Sequence, residues 1–220
     1  MLKAVIFDMD GVLINSPDYN RQSFNLILRD YGLNFSKQDW KKTLGRSIQD
    51  KLQIWKNDYG LKEDPDFHDL SQSAFKIQKK LMKEKEKPNL SLLNLLRELK
   101  KNNIKIGVAT SSTKQRAHII LEMINVISFI EVLITAEDVE KHKPHPDLFL
   151  KCAEKLQVKP ENCVVFEDAK NGVPASKNAG MKTIALLTEF NEKKDFENLS
   201  DLIIKDFSEI NLKRLKELVS

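Results

Sequence analysis

Short apolar runs punctuate this chain, and most of them end on polar residues. Residues 2–7 run straight into Asp8 and Asp10. Residues 104–110 end on Thr110, Ser111 and Ser112. Residues 132–135 make a shorter run, residues 163–166 end on Glu167 and Asp168, and residues 183–187 follow. Runs of this length, rich in β-branched residues, read as buried strands. Helical spacing of apolar residues fills the gaps, at 92–99, 116–124, 146–156 and 169–179. Strands alternating with helices predict right-handed βαβ units and a parallel sheet. Ligands of such sheets bind beyond the carboxyl ends of the strands. The polar residues that close these runs are therefore expected on one rim.

Residues 16–87 break the alternation. They contain no strand-like run, but apolar residues recur at helical spacing over 19–31, 49–59 and 67–85. Ser36 with Asp39 and Ser47 with Asp50 have the spacing of helix-starting capping boxes. The stretch reads as an all-helical insertion after the first strand. The expected division is 1–15 and 88–220 for the sheet domain and 16–87 for the helical one. A last short strand near Leu202 and a helix over 212–219 close the chain. The lysine-rich run over 79–87 alternates in sign with Glu84 and Glu86, as a solvated helix end does.

Composition narrows the classes. The chain has 220 residues, 41% hydrophobic and 31% charged, which is long and apolar enough for a real core. No apolar run approaches the ~20 residues of a membrane span. The N-terminal run meets two acids at once, unlike a signal peptide. Cys152 and Cys163 make neither a disulfide framework nor a metal spacing, so a cytoplasmic setting is expected. The net charge of +4 is mild. Without an arginine-rich patch interleaved with aromatics, a nucleic-acid partner is not expected.

The chemistry sits at the strand ends. Asp8 and Asp10 lie two apart directly after a strand, and Gly11 permits a tight turn. Such a pair is either an acidic turn or a nucleophile or metal ligand with a second carboxylate for proton transfer. Glu167 and Asp168 repeat the arrangement. Four carboxylates on one rim repel each other unless a cation sits among them, and oxygen-rich, wet sites favour Mg²⁺. Thr110, Ser111 and Ser112 offer hydroxyls and backbone N–H groups before a helix, either as caps or as an anion cradle. Lys143 lies in a loop stiffened by Pro144 and Pro146, a suitable place to hold phosphoryl oxygens. His142 and His145 beside it have no ligand spacing and are assigned to the loop surface.

The ordered set Asp8-x-Asp10-Gly11-Val12, Thr110, Lys143-Pro144-x-Pro146-Asp147 and Glu167-Asp168 resembles the four motifs of the haloacid dehalogenase (HAD) superfamily. It is most similar to the β-phosphoglucomutase-like phosphohydrolases, over essentially the whole chain. The resemblance implies an α/β fold with a Rossmann-like parallel-sheet core and an inserted helical cap. It implies Asp8 as nucleophile, forming an aspartyl-phosphate, and Asp10 as the acid and base. Mg²⁺ would be held by Asp8, the backbone carbonyl of Asp10, and Asp168, with Glu167 supporting its water shell. Thr110, Ser111 and Lys143 would bind phosphoryl oxygens. Arg46 matches the cap's substrate loop and is a candidate for a second anionic group. The implied enzyme is a Mg²⁺-dependent phosphatase of a small phosphorylated metabolite, such as a sugar phosphate, acting as a monomer.

Two other readings accompany it. One is a β-phosphoglucomutase, whose relatives carry a histidine where this chain has Asn20. The other is an inactive HAD-fold binding module, which should have lost an acid or the lysine. Asp10 speaks against dehalogenation, because the dehalogenases lack that second aspartate.

Overall fold

The structure is a computed structural model that describes residues 1–44, 48–62, 67–85 and 89–220. The chain divides into two compact units, Met1–Ile14 with Lys87–Ser220 and Asn15–Glu86. In the first unit six strands form one parallel sheet: β1 (Ala4–Phe7), β2 (Lys105–Ala109), β3 (Val132–Ile134), β4 (Cys163–Glu167), β5 (Lys182–Leu186) and β6 (Leu202–Ile204). Their order is β3-β2-β1-β4-β5-β6, all parallel. The order reverses at β1, which lies between β2 and β4. That strand marks the switch point, where ligands of open α/β sheets bind.

Four of the strands match the apolar runs closely because a parallel strand covered on both faces has no polar side to show. β1 and β4 are buried throughout. Phe7 stacks on Phe166 across the β1–β4 pair, ring centroids 5.0 Å apart. Leu2 is buried but outside the ladder, which starts at Ala4.

α-Helices in chain order are α1 (Ser16–Leu28), α2 (Lys37–Lys41), α3 (Ile48–Tyr59), α4 (Phe67–Lys85), α5 (Leu90–Lys101), α6 (Lys114–Met123), α7 (Asp147–Lys155), α8 (Gly172–Asn178) and α9 (Leu212–Leu218). The first four belong to the second unit. Asn89 caps α5, Thr113 caps α6 and Asn211 caps α9, each accepting a hydrogen bond from a backbone N–H of the first turn. α7 seats against β2 so tightly that a Cβ on Gly107 would lie 2.5 Å from Cys152 Sγ. Burial pushes the Cys152 thiol up and the Cys163 thiol up to about 12, so both are packing residues. Alkylation of the native protein with iodoacetamide is accordingly expected to stay negligible at neutral pH, becoming fast only in denaturant.

The helical unit has its own core. Phe24, Phe35, Trp40 and Trp55 are buried together, with Tyr59 edge-on to Phe35 at 5.1 Å. Asn25 closes the loop before α2 by pairing with both the N–H and the carbonyl of Phe35. The Ser36–Asp39 capping box is formed at the start of α2. Ser47, the expected cap of the Ser47–Asp50 box, lies outside the described residues.

Candidate active site

The β1 end sets the first acid. Asp8 N–H donates to Phe166 O at 2.9 Å, carrying the ladder one step past Phe7. The chain then turns back on itself: Leu13 N–H donates to Met9 O at 3.0 Å and Gly11 N–H to Ile14 O at 2.8 Å. Gly11 has φ +92°, and a Cβ there would lie 1.9 Å from Asp168 Oδ2. Only glycine fits, because the backbone is left-handed and Asp168 fills the space a side chain would need. Gly11→Ala is expected to cost about 1–3 kcal/mol in stability and to displace Asp168. A denaturant midpoint measured beside phosphate release checks both effects.

Lys143 is the electrostatic centre. Its Nζ donates to Asp8 Oδ1 at 2.5 Å and to Glu167 Oε1 at 2.6 Å. The ammonium also lies over the Phe149 ring at 4.9 Å. The side chain is 4% exposed, Glu167 is wholly buried and Asp8 is 6% exposed. Pro144 follows Lys143 through a cis peptide bond, and His145 N–H donates to His142 O. Asn171 and Asn178 donate to the carbonyls of Lys143 and Pro144. His142 and His145 are exposed.

Glu167 is placed with both oxygens used: Oε1 takes Lys143 and Oε2 accepts from Ala169 N–H at 2.8 Å. A Cβ on Gly172 would lie 1.8 Å from Glu167 Oε1, so the start of α8 must also be glycine. The Asp168 carbonyl accepts from Asn191 Nδ2 at 2.8 Å. Thr110 is buried, and its Oγ1 accepts from Ser112 N–H at 3.1 Å. Ser111 is exposed, and Ser112 is the serine that donates to Asp10, Oγ to Oδ2, at 2.7 Å. Arg116 grips the same carboxylate with two nitrogens.

The structure thus brings Asp8, Asp10, Thr110, Lys143, Glu167 and Asp168 to one rim. Arg46 lies outside the described residues. Arg116, Gly172 and Asn191 are residues of this rim that sequence reasoning missed, and Ser112, read as part of an anion cradle, instead donates to Asp10. For Gly172 and Asn191 no local pattern stood out. For Arg116 there was a signal: a cation in the first turn of a helix, where the dipole disfavours it.

The charges explain the titration. Burial raises the Asp8 carboxyl from 3.8 to about 7, with Lys143 opposing and Glu167 and Asp10 adding to it. Burial, then Glu167 and Asp8, push Asp168 well above the usual range. Burial works against the Lys143 charge, but Asp8 and Glu167 outweigh it and hold the ammonium protonated. With Arg116 paired to Asp10, the Lys143 ammonium alone is too little positive charge for Asp8, Glu167 and Asp168.

A hard divalent cation fits that deficit, since the donors are carboxylate oxygens. Among the described residues no three acidic, histidine or cysteine side chains already stand at ligating separation. Lys143 holds Asp8 and Glu167 instead. For metal-free protein, Asp8 in the folded state binds a proton that the unfolded state has released between pH 3.8 and about 7. Stability is therefore expected to fall as pH rises through that window. A Mg²⁺ ion held here would need the ionised form, so it should raise the melting temperature more at about pH 8 than at about pH 5.5. Melting curves in EDTA and in Mg²⁺ at both pH values check this.

A parallel sheet that gathers its acids and a buried lysine at the switch-point rim defines an α/β enzyme. Residues 5–186 match the haloacid dehalogenase-like hydrolases, and the chain belongs to that family. It is 29% identical over 183 residues to a phosphorylated carbohydrates phosphatase of Thermotoga maritima, covering 83% of this chain and 84% of that one. It is 31% identical over 186 residues to the pyrophosphatase PpaX of Bacillus mycoides, covering 84% and 83%. Among solved structures, CbbY from Rhodobacter sphaeroides in complex with phosphate shares the fold, with a TM-score of 0.86 at 23% identity over 98% of this chain and 100% of that one. The expectations of a HAD fold and a family hydrolase therefore stand. Among the described residues no helix is long and apolar enough to cross a membrane.

Proposed function

We propose that this enzyme is a Mg²⁺-dependent phosphatase that hydrolyses a small phosphomonoester through a phosphoryl group carried on Asp8. The observation that carries the reading is the Lys143 ammonium bridging the buried Asp8 and Glu167 at 2.5 and 2.6 Å. A carboxylate attacking a phosphate dianion meets like-charge repulsion, and a buried cation at its oxygen is what such an attack needs.

The chain's own residues perform the rest. Asp8 attacks phosphorus, the bond to the leaving oxygen breaks, and Asp10 gives that oxygen a proton. Asp10 then takes a proton from the attacking water, and the bond between phosphorus and Asp8 breaks to release phosphate. Lys143 and Thr110 offset charge on the phosphoryl oxygens, with the exposed Ser111 offering its backbone N–H. Mg²⁺ would be held by Asp8, the Asp10 backbone carbonyl and Asp168, with Glu167 supporting its water shell; when bound it neutralises phosphoryl charge.

The helical unit is assigned substrate selection, with Arg46 the candidate for a second anionic group. The names of the relatives, one acting on phosphorylated carbohydrates, support a sugar phosphate or similar metabolite. A panel of phosphomonoesters assayed for phosphate release tests the reading. A coupled assay for glucose 6-phosphate formed from glucose 1-phosphate and a bisphosphate separates it from a mutase. The expected result is release of phosphate with little isomer formed; efficient isomerisation with almost no phosphate released would overturn it.

A further inference from the structure

The phosphoryl chemistry just described makes no use of Arg116, yet its side chain is bound into the rim. Arg116 lies in the first turn of α6, and its backbone N–H donates to the cap, Thr113 Oγ1, at 3.3 Å. Helix dipoles favour acids there, and this first turn has none. A side chain that breaks a local rule calls for a compensating contact. Here the contact is with Asp10. Nη1 donates to Asp10 Oδ2 at 2.6 Å and Nη2 donates to Asp10 Oδ1 at 2.7 Å. Ser112 Oγ donates to Asp10 Oδ2 at 2.7 Å and itself accepts from Arg116 Nη1. Both groups come from the β2–α6 segment, whereas Asp10 comes from the turn after β1.

The fork matters. Arginine presents two parallel donors in a fixed plane, which sets both the distance and the rotation of a carboxylate; lysine holds it at one point. Asp10 stands on a turn past the end of its strand, and its side chain is 28% exposed. Proton transfer requires the acid within about 2.6–3.2 Å of the receiving atom, and so a fixed rotamer.

We propose that Arg116, together with Ser112, is a positioning residue that fixes the Asp10 carboxylate for proton transfer to the leaving-group oxygen. The inference rests on the reading of Asp10 as proton donor. The clamped carboxylate is the form Asp10 takes after giving its proton to the leaving group and before taking one from water. In the donating form one Asp10 oxygen carries the proton, and the hold on the other oxygen is what fixes the rotamer. Specificity for leaving groups follows: alkoxides need the proton, whereas p-nitrophenolate leaves without it.

The test compares kcat/KM on p-nitrophenyl phosphate and on β-glycerophosphate for wild type, Arg116→Ala, Arg116→Lys and Asp10→Asn. kcat/KM stops at formation of the phosphorylated enzyme, so water activation does not blur it. A ratio of two substrates is also independent of how much of a variant is folded. Arg116→Ala is expected to lose roughly tenfold or more on β-glycerophosphate, within the range of a general acid's contribution, and about threefold or less on p-nitrophenyl phosphate. Arg116→Lys should fall between Arg116→Ala and wild type. Equal losses on both substrates, or no loss on either, overturn the proposal while Asp10→Asn still discriminates between them. If Asp10→Asn does not discriminate, or wild type hydrolyses neither ester, the reading of Asp10 fails and the proposal falls with it.

Discussion

Asp8→Asn is expected to lower phosphate release by about 10³-fold or more while leaving the fold intact. An amide is a poor nucleophile toward phosphorus and brings no negative charge to a cation. The fold survives because the site is over-supplied with acids. Burial with Glu167 and Asp10 raises the Asp8 carboxyl to about 7 against the pull of Lys143. Lys143 also pairs with Glu167, at 2.6 Å, and the substitution removes neither partner of that contact. In EDTA the denaturant midpoint of the variant should equal or exceed that of wild type. Activity and midpoint measured on one preparation check both halves. Turnover within tenfold of wild type would assign the nucleophile elsewhere.

Lys143→Met is expected to be the most destabilising single change at the rim. It leaves Asp8 and Glu167 buried without their counter-charge, a loss of about 3–5 kcal/mol when one partner of a buried ion pair is removed. Native domains are stable by only ~5–15 kcal/mol, so this is a large fraction. Methionine keeps an apolar stem beside Phe149, which limits the loss to charge rather than packing. The deficit should shrink toward about pH 5.5, where Asp8 accepts a proton, and grow toward about pH 8. Adding Glu167→Gln should recover part of it by removing one uncompensated carboxylate. Urea melts of the two variants at both pH values check the sign. An equal deficit at both pH values would mean packing, not charge, holds this loop.

Much of this was legible in the chain because the physics was local. A strand buried on both faces can carry only apolar residues, so β1, β2 and β4 stood out. Parallel topology then placed their polar ends together, which brought Asp8, Thr110 and Glu167 to one rim without any coordinates. Boundaries were less visible. α8 starts at Gly172 rather than Ala169, because the intervening residues form a turn in which Gly172 N–H donates to Ala169 O at 3.0 Å. In the β2–α6 segment, Ser112 rather than Ser111 faces Asp10; a one-residue offset in a loop has no periodicity to reveal it.

The long-range pairings were not legible. The grip of Arg116 on Asp10 joins residues far apart in the chain, and spacing cannot encode it. Gly172 depends on a carboxylate that arrives from β4, so its necessity shows only once Glu167 is placed against it. Asn191 reaches back from beyond β5 to the carbonyls of Asp168 and Leu186. These residues support the acids, and supporting contacts are written in three dimensions.

Asp8 is proposed to carry a phosphoryl group beside Mg²⁺. Beryllium fluoride tests it most directly, because it mimics a phosphoryl group on a carboxylate and needs no knowledge of the substrate. The measurement is the melting temperature with beryllium fluoride and Mg²⁺ together and with each alone, for wild type and Asp8→Asn. The expected result is a rise for wild type with both together that exceeds either alone, and none for Asp8→Asn. The same rise in Asp8→Asn, or no combined effect in wild type, would contradict it.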